Sequence, residues 1–395
     1  MEEKEIYFDN AATTRIYPET VKVMQHFFTQ EFWNPSSMYR PAIQAEKELE
    51  KARETVAAGL NVPARDLYFT SGGTEGSNTV IRGVCEAQHN HDYNIITTQV
   101  EHPAVLEVFR YYEDRGIKTT YLPVDEFGRA DLKALEEALN EKTALVSIMA
   151  VNNELGSIND LVKAGALIHE KSPKAVFHSD FVQAFMKLDD PRLDIKKAGL
   201  DAVNVSGHKI HGPKGIGALY IRNGVRILPL LLGGGQERGM RSGTENLALA
   251  AGLASAVEKR TGKTGEMQAH AQILKERLLK ALSDDPDLWI GSADDASPYV
   301  ISLGFRGIRG EVLLHILEDQ GIYISTGSAC STHHKGGHVQ KAAGTDREAT
   351  EGTVRISTSE DNTPEEIDQL AGALKAGVKQ LRRVTRFHSK DRSRK

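Results

Sequence analysis

A lysine in a polar turn directly after an apolar run is the first residue of this chain placed for covalent chemistry. Ser206-Gly207-His208-Lys209 follows Asp201-Ala202-Val203-Asn204-Val205. Lys209 is therefore expected at the carboxyl end of a β-strand, where an amine can be desolvated, lowered in pKa and made nucleophilic. A second strand-like run, Ala175-Val176-Phe177-His178, ends in Ser179-Asp180. The carboxyl ends of strands line the ligand crevice of an α/β sheet. An aspartate on one strand end and a lysine on another form the pair that pyridoxal phosphate (PLP) uses. The carboxylate keeps the pyridine nitrogen protonated, so that the ring accepts electrons, and the lysine holds the aldehyde as a Schiff base. Any single lysine is far more often an ordinary surface residue. The reading rests on its company.

Thr70-Ser71-Gly72-Gly73-Thr74-Glu75 joins a strand to a helix. Small residues there let backbone N–H groups approach an anion, and the helix N-terminus adds a favourable dipole. Gly73 and Thr74 would thus cradle a phosphate, with Ser206 and His208 as further donors; a plain tight turn is the alternative. Gly233-Gly234-Gly235-Gln236-Glu237-Arg238, followed by Arg241-Ser242-Gly243-Thr244-Glu245, is either a second polar loop opening a helix or a flexible connector. His102, in Glu101-His102-Pro103, follows the strand Asn94 to Thr98 and could stack on a cofactor ring or move protons. A helix-start histidine can also be a mere capping neighbour. Asn152-Asn153-Glu154 follows an apolar run at another strand end, and Gln183 lies three residues beyond Asp180. Uncharged amides suit a phenolate oxygen without disturbing the ring's electronics. Arg355 could take a substrate carboxylate or make a structural salt bridge.

Cys330 differs in kind. Gly327-Ser328-Ala329-Cys330-Ser331-Thr332 is too small and polar to pack a core, so an exposed thiol and a mobile loop are expected, and the thiol is a candidate nucleophile. Cys85, in an apolar helix, reads as a small core residue. His333, His334 and His338 follow Cys330 closely, but a second soft ligand pair is missing and no metal site is expected.

The elements that must position these residues read as an α/β protein. From about Leu67 onward strands and helices alternate as in a mostly parallel sheet. Strands are expected at Leu67 to Thr70, Asn94 to Thr98, Lys118 to Val124, Ala144 to Val151, the two runs before Asp180 and Lys209, and Ile216 to Ile221. Together they make a mainly parallel seven-stranded sheet in a large domain. Helices fall at Gly76 to Ala87, His102 to Arg115, Asp131 to Leu139 and Asp160 to Glu170. Two more, Glu245 to Arg260 and Glu266 to Leu282, mark the passage to a smaller α+β C-terminal domain. In that domain strands near Tyr299, Ile322 and Thr353 alternate with helices at Glu311 to Asp319 and Pro364 to Leu381. The large domain is placed at 16–260, with 1–15 and 261–395 forming the small one.

At 395 residues the chain exceeds a single core, and 40% apolar with 26% charged residues describes an ordinary globular protein. A net charge of −5 gives no reason to expect nucleic acid as a partner. No stretch approaches a membrane span, Met1-Glu2-Glu3-Lys4-Glu5 is no signal peptide, and two cysteines cannot frame disulfides. A reducing, cytoplasmic setting is expected. The basic C-terminal end, Arg382 to Lys395, reads as a frayed, solvated tail.

Taken jointly, these segments resemble the NifS/IscS-type cysteine desulfurases, PLP enzymes of fold type I and aminotransferase class V. Tyr7-Phe8-Asp9-Asn10-Ala11-Ala12-Thr13-Thr14, Asn34-Pro35-Ser36-Ser37, Gly212-Pro213-Lys214-Gly215 and Arg238-Gly239-Met240-Arg241-Ser242-Gly243-Thr244 join the motifs already quoted, so the likeness runs nearly end to end. The resemblance implies Lys209 as Schiff-base lysine, Asp180 on the pyridine nitrogen, Gln183 on the ring oxygen and His102 stacked on the ring. It implies Gly73, Thr74, Ser206 and His208 around the phosphate, with Thr244 supplied by the other subunit of a homodimer. Asn34, Asn153 and Arg355 would orient the carboxylate of L-cysteine, and Cys330 would take the sulfur and pass it to a sulfur-acceptor protein, an iron–sulfur scaffold or a thiolation enzyme. Phe181 and Trp33 depart from the family's small residue and glycine and are expected to reshape the pocket. A selenocysteine lyase or a class V aminotransferase on the same scaffold is the rival enzyme; a regulator that merely keeps the fold is the rival of another class.

Overall fold

The computed structural model describes residues 5–326 and 337–392, with side chains to 383. Twelve strands occur among them: β1 (Ile6–Tyr7), β2 (Leu67–Thr70), β3 (Asn94–Thr98), β4 (Lys118–Leu122), β5 (Thr143–Ser147), β6 (Val176–Asp180), β7 (Ala202–Ser206), β8 (Gly217–Ile221), β9 (Leu288–Ile290), β10 (Val300–Phe305), β11 (Ile322–Tyr323) and β12 (Thr353–Ser357).

Seven of these strands form the central sheet, in the order β2-β8-β7-β6-β5-β3-β4. Strands β3 to β7 pair in parallel, whereas β8 runs antiparallel to both of its neighbours, β2 and β7. Parallel strands need crossover helices, which cover both faces, so β3, β5 and β7 are buried throughout and β6 at all but its first residue, while the edge strand β4 buries only Leu122. Successive residues divide between the two faces as the pleat requires. Ile95, Leu145 and Ala202 enter one core with Val80, Ile81 and Phe109, and Ile96, Val146 and Val203 enter the other with Phe69, Phe177 and Leu253.

A third core, separate from those two, gathers Leu274, Leu278, Ile301, Leu303, Leu313, Val354, Ile356 and Leu370 around the antiparallel sheet β12-β10-β9. Ile6 and Phe8 belong to this core, because β1 pairs with β11. The chain thus starts among its last hundred or so residues and crosses to the central sheet through the segment after Phe8.

Several expectations need correction. Two N-terminal helices, Pro18–Thr29 and Arg40–Gly59, precede the region where the sequence was read as regular. Each has proline in its first turn, where the missing N–H is no loss. The second buries Ala42, Ala45, Leu49, Ala52 and Val56, a helical stripe weak in large apolar residues. β5 ends at Ser147 rather than running to Val151. The Met149 N–H donates to Glu101 Oε1 at 2.7 Å instead of to a strand, while the Ile148 and Ala150 N–H groups still bond His178 O and Asp180 O of β6. The helix after β2 begins at Gly73, three residues early. The last helix, Pro364–Arg392, reaches beyond Leu381 into the segment expected to be frayed.

Candidate active site

A cavity of about 210 Å³ opens at the carboxyl ends of the central strands. Asp180 ends β6 and Ser206 ends β7, and both face it. A single 3-10 turn, Gly207–Lys209, carries His208 and Lys209 to the same wall. Lys209 Nζ donates to Ala11 O and Ala12 O at 2.7 Å each. Gln183 Nε2 donates to the same Ala11 O at 2.9 Å. The segment after Phe8 therefore closes one side of the cavity, tied down where the Ala11 N–H donates to Ser357 Oγ at 2.8 Å.

Opposite Lys209, the Gly73–Glu86 helix starts at the cavity with Gly73 and Thr74. Its approach is close enough to demand glycine. A Cβ on Gly73 would meet Val182 Cγ2 at 2.7 Å, and one on Gly76 would meet Asn204 Cβ at 2.6 Å. Ser206 and the His208 ring stand beside this helix end, His208 Nδ1 lying 3.1 Å from Thr13 Oγ1.

His102 lines the cavity and also caps the Pro103–Glu113 helix, its Nδ1 accepting the Ala104 N–H at 3.1 Å. The capping reading of this histidine holds, and the same ring lines the cavity. Burial first, then Lys209 and His338, push its pKa down to about 4. The ring is neutral at pH 7, and with Nδ1 accepting, Nε2 carries the proton. Burial likewise lowers His208 to about 4, with help from Lys209.

Asp180 is pushed up to about 6 by burial, against the pull of the Val182 N–H, Lys209 and Asn204. The Val182 N–H donates to Asp180 Oδ1 at 2.8 Å. Asn204 is itself oriented from behind: its Oδ1 sits 2.7 Å from His178 Nε2, and His178 Nδ1 sits 2.8 Å from Ser147 Oγ. Glu101, also wholly buried, is pushed up to about 8 by burial.

Asn153 and Arg355 reach the cavity together. Arg355 donates to Asn153 O at 3.0 Å and pairs with Asp9 at 2.8 Å. Here a structural salt bridge and a cavity position occur in one residue. Asn34 is exposed and outside this cavity, its Oδ1 accepting the Ser36 N–H at 2.9 Å. Thr244 is exposed as well and lines a different cavity, with Ser71, Glu237 and Arg241. The loop that carries it is no slack connector. Glu237 is buried and takes a bidentate hold from Arg53 at 2.6 and 2.9 Å, and Arg241 pairs with Glu75 at 2.9 Å. Phe181 and Trp33 do not line the cavity: Phe181 enters the central core and Trp33 stacks on Phe32 at 4.6 Å. Cys330, with 327–336, lies outside the described residues, so its expected mobility has no structural counterpart here. Cys85 is buried in the core, its thiol pushed up to about 12.

Residues 6–370 match the family model described as aminotransferase class-V. The chain belongs to that family. It is 40% identical over 97% of its length, and 96% of the relative's, to "Cysteine desulfurase IscS" of Clostridium botulinum. Among solved structures, a "NIFS-LIKE PROTEIN" superposes with a TM-score of 0.88 at 38% identity, covering 96% of this chain and 99% of that one. "SspA in complex with cysteine" superposes with a TM-score of 0.80 at 31% identity, covering 91% and 100%. This class-V chain is a PLP-dependent enzyme of fold type I.

The cavity fits that cofactor on its own chemistry. A carboxylate at one end suits a ring nitrogen, and helix-start N–H groups with Thr74, Ser206 and His208 at the other suit a phosphate. Lys209 stands beside the space between them. Several residues that build the site have no role in the sequence reading: Glu101, Asn204, His178, Asp9 and Lys187. All but Asp9 are buried polar groups; four lie inside the quoted segments and Lys187 four residues beyond Gln183, and their positions alone assign none of them a role.

Proposed function

We propose that the chain is a cysteine desulfurase that takes sulfur from L-cysteine, leaving L-alanine and a persulfide on Cys330. The observation that carries this reading is that both described flanks of the Cys330 segment abut the PLP cavity. On one side Ser325 and Arg355 exchange backbone hydrogen bonds of 3.1 and 2.6 Å, and Arg355 lines the cavity. On the other, His338 is near enough to depress His102, and Gln340 hydrogen-bonds Glu154. Cys330 follows Ser325 by five residues, which extend no further than about 18 Å. The relative named a cysteine desulfurase and the like fold solved with cysteine support the same substrate.

PLP, when bound, supplies an electron sink for the substrate's α-carbon. Asp180, shielded from water and hydrogen-bonded by Val182, keeps the ring nitrogen protonated. The Lys209 amine takes and returns the α-proton. Neutral His102 presents its Nε2–H to the cavity, and Asn153 and Arg355 orient the carboxylate. The Cys330 thiolate attacks the substrate sulfur: an S–S bond forms, the C–S bond breaks, and the β-carbon takes a proton to become the methyl of alanine. Sulfur is oxidised to the persulfide level as carbon is reduced, so the step balances without an outside oxidant. The persulfide then goes to an acceptor, an iron–sulfur scaffold or a thiolation enzyme, in the cytoplasm. Thr244, turned away from its own chain's cavity, completes the phosphate site of the second subunit of a homodimer. The separate cores support a large unit at 16–260 and a small one at 1–15 with 261–395.

Cys330→Ala tests the reading. It should keep bound PLP but release no alanine and carry no persulfide by mass spectrometry, whereas Cys85→Ala should behave as the parent. Alanine release at the parental rate from Cys330→Ala would refute the desulfurase mechanism.

A further inference from the structure

Lys187 is a buried amine that the proposed reaction does not use. It is 5% exposed, and its Nζ donates to Gln183 Oε1 at 3.0 Å. An uncompensated amine in the interior is costly, and no carboxylate among the described residues forms an ion pair with it. The charged groups that act on it are Lys209, Arg260 and Arg355, all repulsive, with Glu360 opposing them, and it in turn acts on His208. Burial, reinforced by those cations, drives its pKa well below the ordinary lysine range.

Its hydrogen-bond partner among the described residues is Gln183, the residue assigned to the ring oxygen. A glutamine amide is nearly symmetric in shape, so its O and N ends exchange unless neighbours distinguish them. Here both ends are specified. Ala11 O only accepts, which fixes Nε2 toward it, and the Lys187 amine then donates to Oε1 at the other end. Lys209 Nζ donates to that same Ala11 O at 2.7 Å. The Gln183 N–H₂ edge is thereby held beside the very nitrogen to which the cofactor's aldehyde carbon is joined, and the ring's phenolic oxygen is ortho to that carbon.

We propose that Lys187 is a positioning residue for the cofactor: by donating to Gln183 Oε1 it locks the amide so that an N–H, and not a carbonyl, faces the ring oxygen. Without that donor Oε1 loses its hydrogen bond in the interior and Ala11 O alone holds the amide, so the N–H₂ edge is held less firmly toward the ring oxygen. The inference rests on the PLP site described above.

The test is an absorption titration of the lysine-bound cofactor, whose proton is shared with the ring oxygen. A donor to that oxygen disfavours protonation, so losing it raises the midpoint. Lys187→Met holoenzyme should titrate with about tenfold higher proton affinity, the size expected for one hydrogen bond to a charged group. The cofactor's dissociation constant should rise in parallel. Gln183→Leu should show a similar midpoint shift, and adding Lys187→Met to it should move the midpoint no further. Lys187→Leu carries the same readout should Lys187→Met not fold. An unshifted midpoint in the Lys187 variants beside a shifted one in Gln183→Leu would overturn the role of Lys187 alone. An undiminished further shift in the double variant would also overturn it, assigning the effect to charge at a distance. An unshifted Gln183→Leu would overturn the role of Gln183 and the proposal with it.

Discussion

Glu101→Gln probes the electrostatics that leave Asp180 as the anion of the site. Glu101 is wholly buried; its Oε1 accepts from the Met149 N–H at 2.7 Å and from Thr98 Oγ1 at 3.0 Å, while Oε2 has no hydrogen-bond partner among the described residues. Burial, with the charge of Asp180 adding to it against those two hydrogen bonds, pushes its pKa up from 4.5 to about 8. The folded chain therefore keeps a proton that the unfolded chain releases. Stability from this group is present below pH 4.5 and falls as pH rises to about 8, then levels off. Glutamine keeps the two accepted hydrogen bonds and removes the titration. Its extra buried N–H costs about 1–3 kcal/mol at every pH, so the pH-dependent part is the diagnostic one. At 1.36 kcal/mol per tenfold in proton binding, the variant should gain about 2.5 kcal/mol on the parent between about pH 6 and pH 8.5. Urea unfolding of both apoproteins across that range measures the gap, provided the denaturant slopes agree. A gap that stays constant, or that closes as pH rises, would show Glu101 ionised in the fold and refute the argument.

Three further outcomes are expected. Borohydride reduction and peptide mapping should place the pyridoxyl group on Lys209, and Lys209→Ala should lose the covalent link while still binding PLP through its phosphate; label on another lysine would reject the assignment. Mixing Lys209→Ala with Thr244→Ala chains should restore partial activity, because one site of each heterodimer then carries neither lesion; no recovery in verified heterodimers counts against a shared site. Glu237→Leu should cost about 3–5 kcal/mol, because it removes the buried carboxylate from the buried Arg53 guanidinium and leaves it the exposed Glu50 and Leu67 O. Arg53→Met/Glu237→Leu should recover most of that loss in urea unfolding, and a double variant no more stable than the single one would contradict the pairing.

The sequence by itself determined the sheet and the family. Apolar runs at 67–70, 94–98 and 176–180 are strands in the structure as read, because burial on both faces leaves a pattern that local chemistry cannot hide. The PLP motifs stood out because small residues, Lys209 and Asp180 each follow such a run, and strand ends share one edge of a parallel sheet. Three things lay beyond that reading. The N-terminal helices were missed because alanines supply most of the buried stripe of Arg40–Gly59, so little hydrophobic contrast marks it. Beyond Ser147 the run still bonds β6 through Ile148 and Ala150, but on its other side the buried Glu101 carboxyl, from a distant strand end, takes the Met149 N–H that the local pattern assigns to a strand. The roles of Glu101, Asn204 and Lys187 arise from partners 48, 26 and 4 residues away that the fold sets at 2.7, 2.7 and 3.0 Å. Sequence spacing carries the identity of such groups; only their desolvation together, which tertiary packing creates, sets their charge and direction.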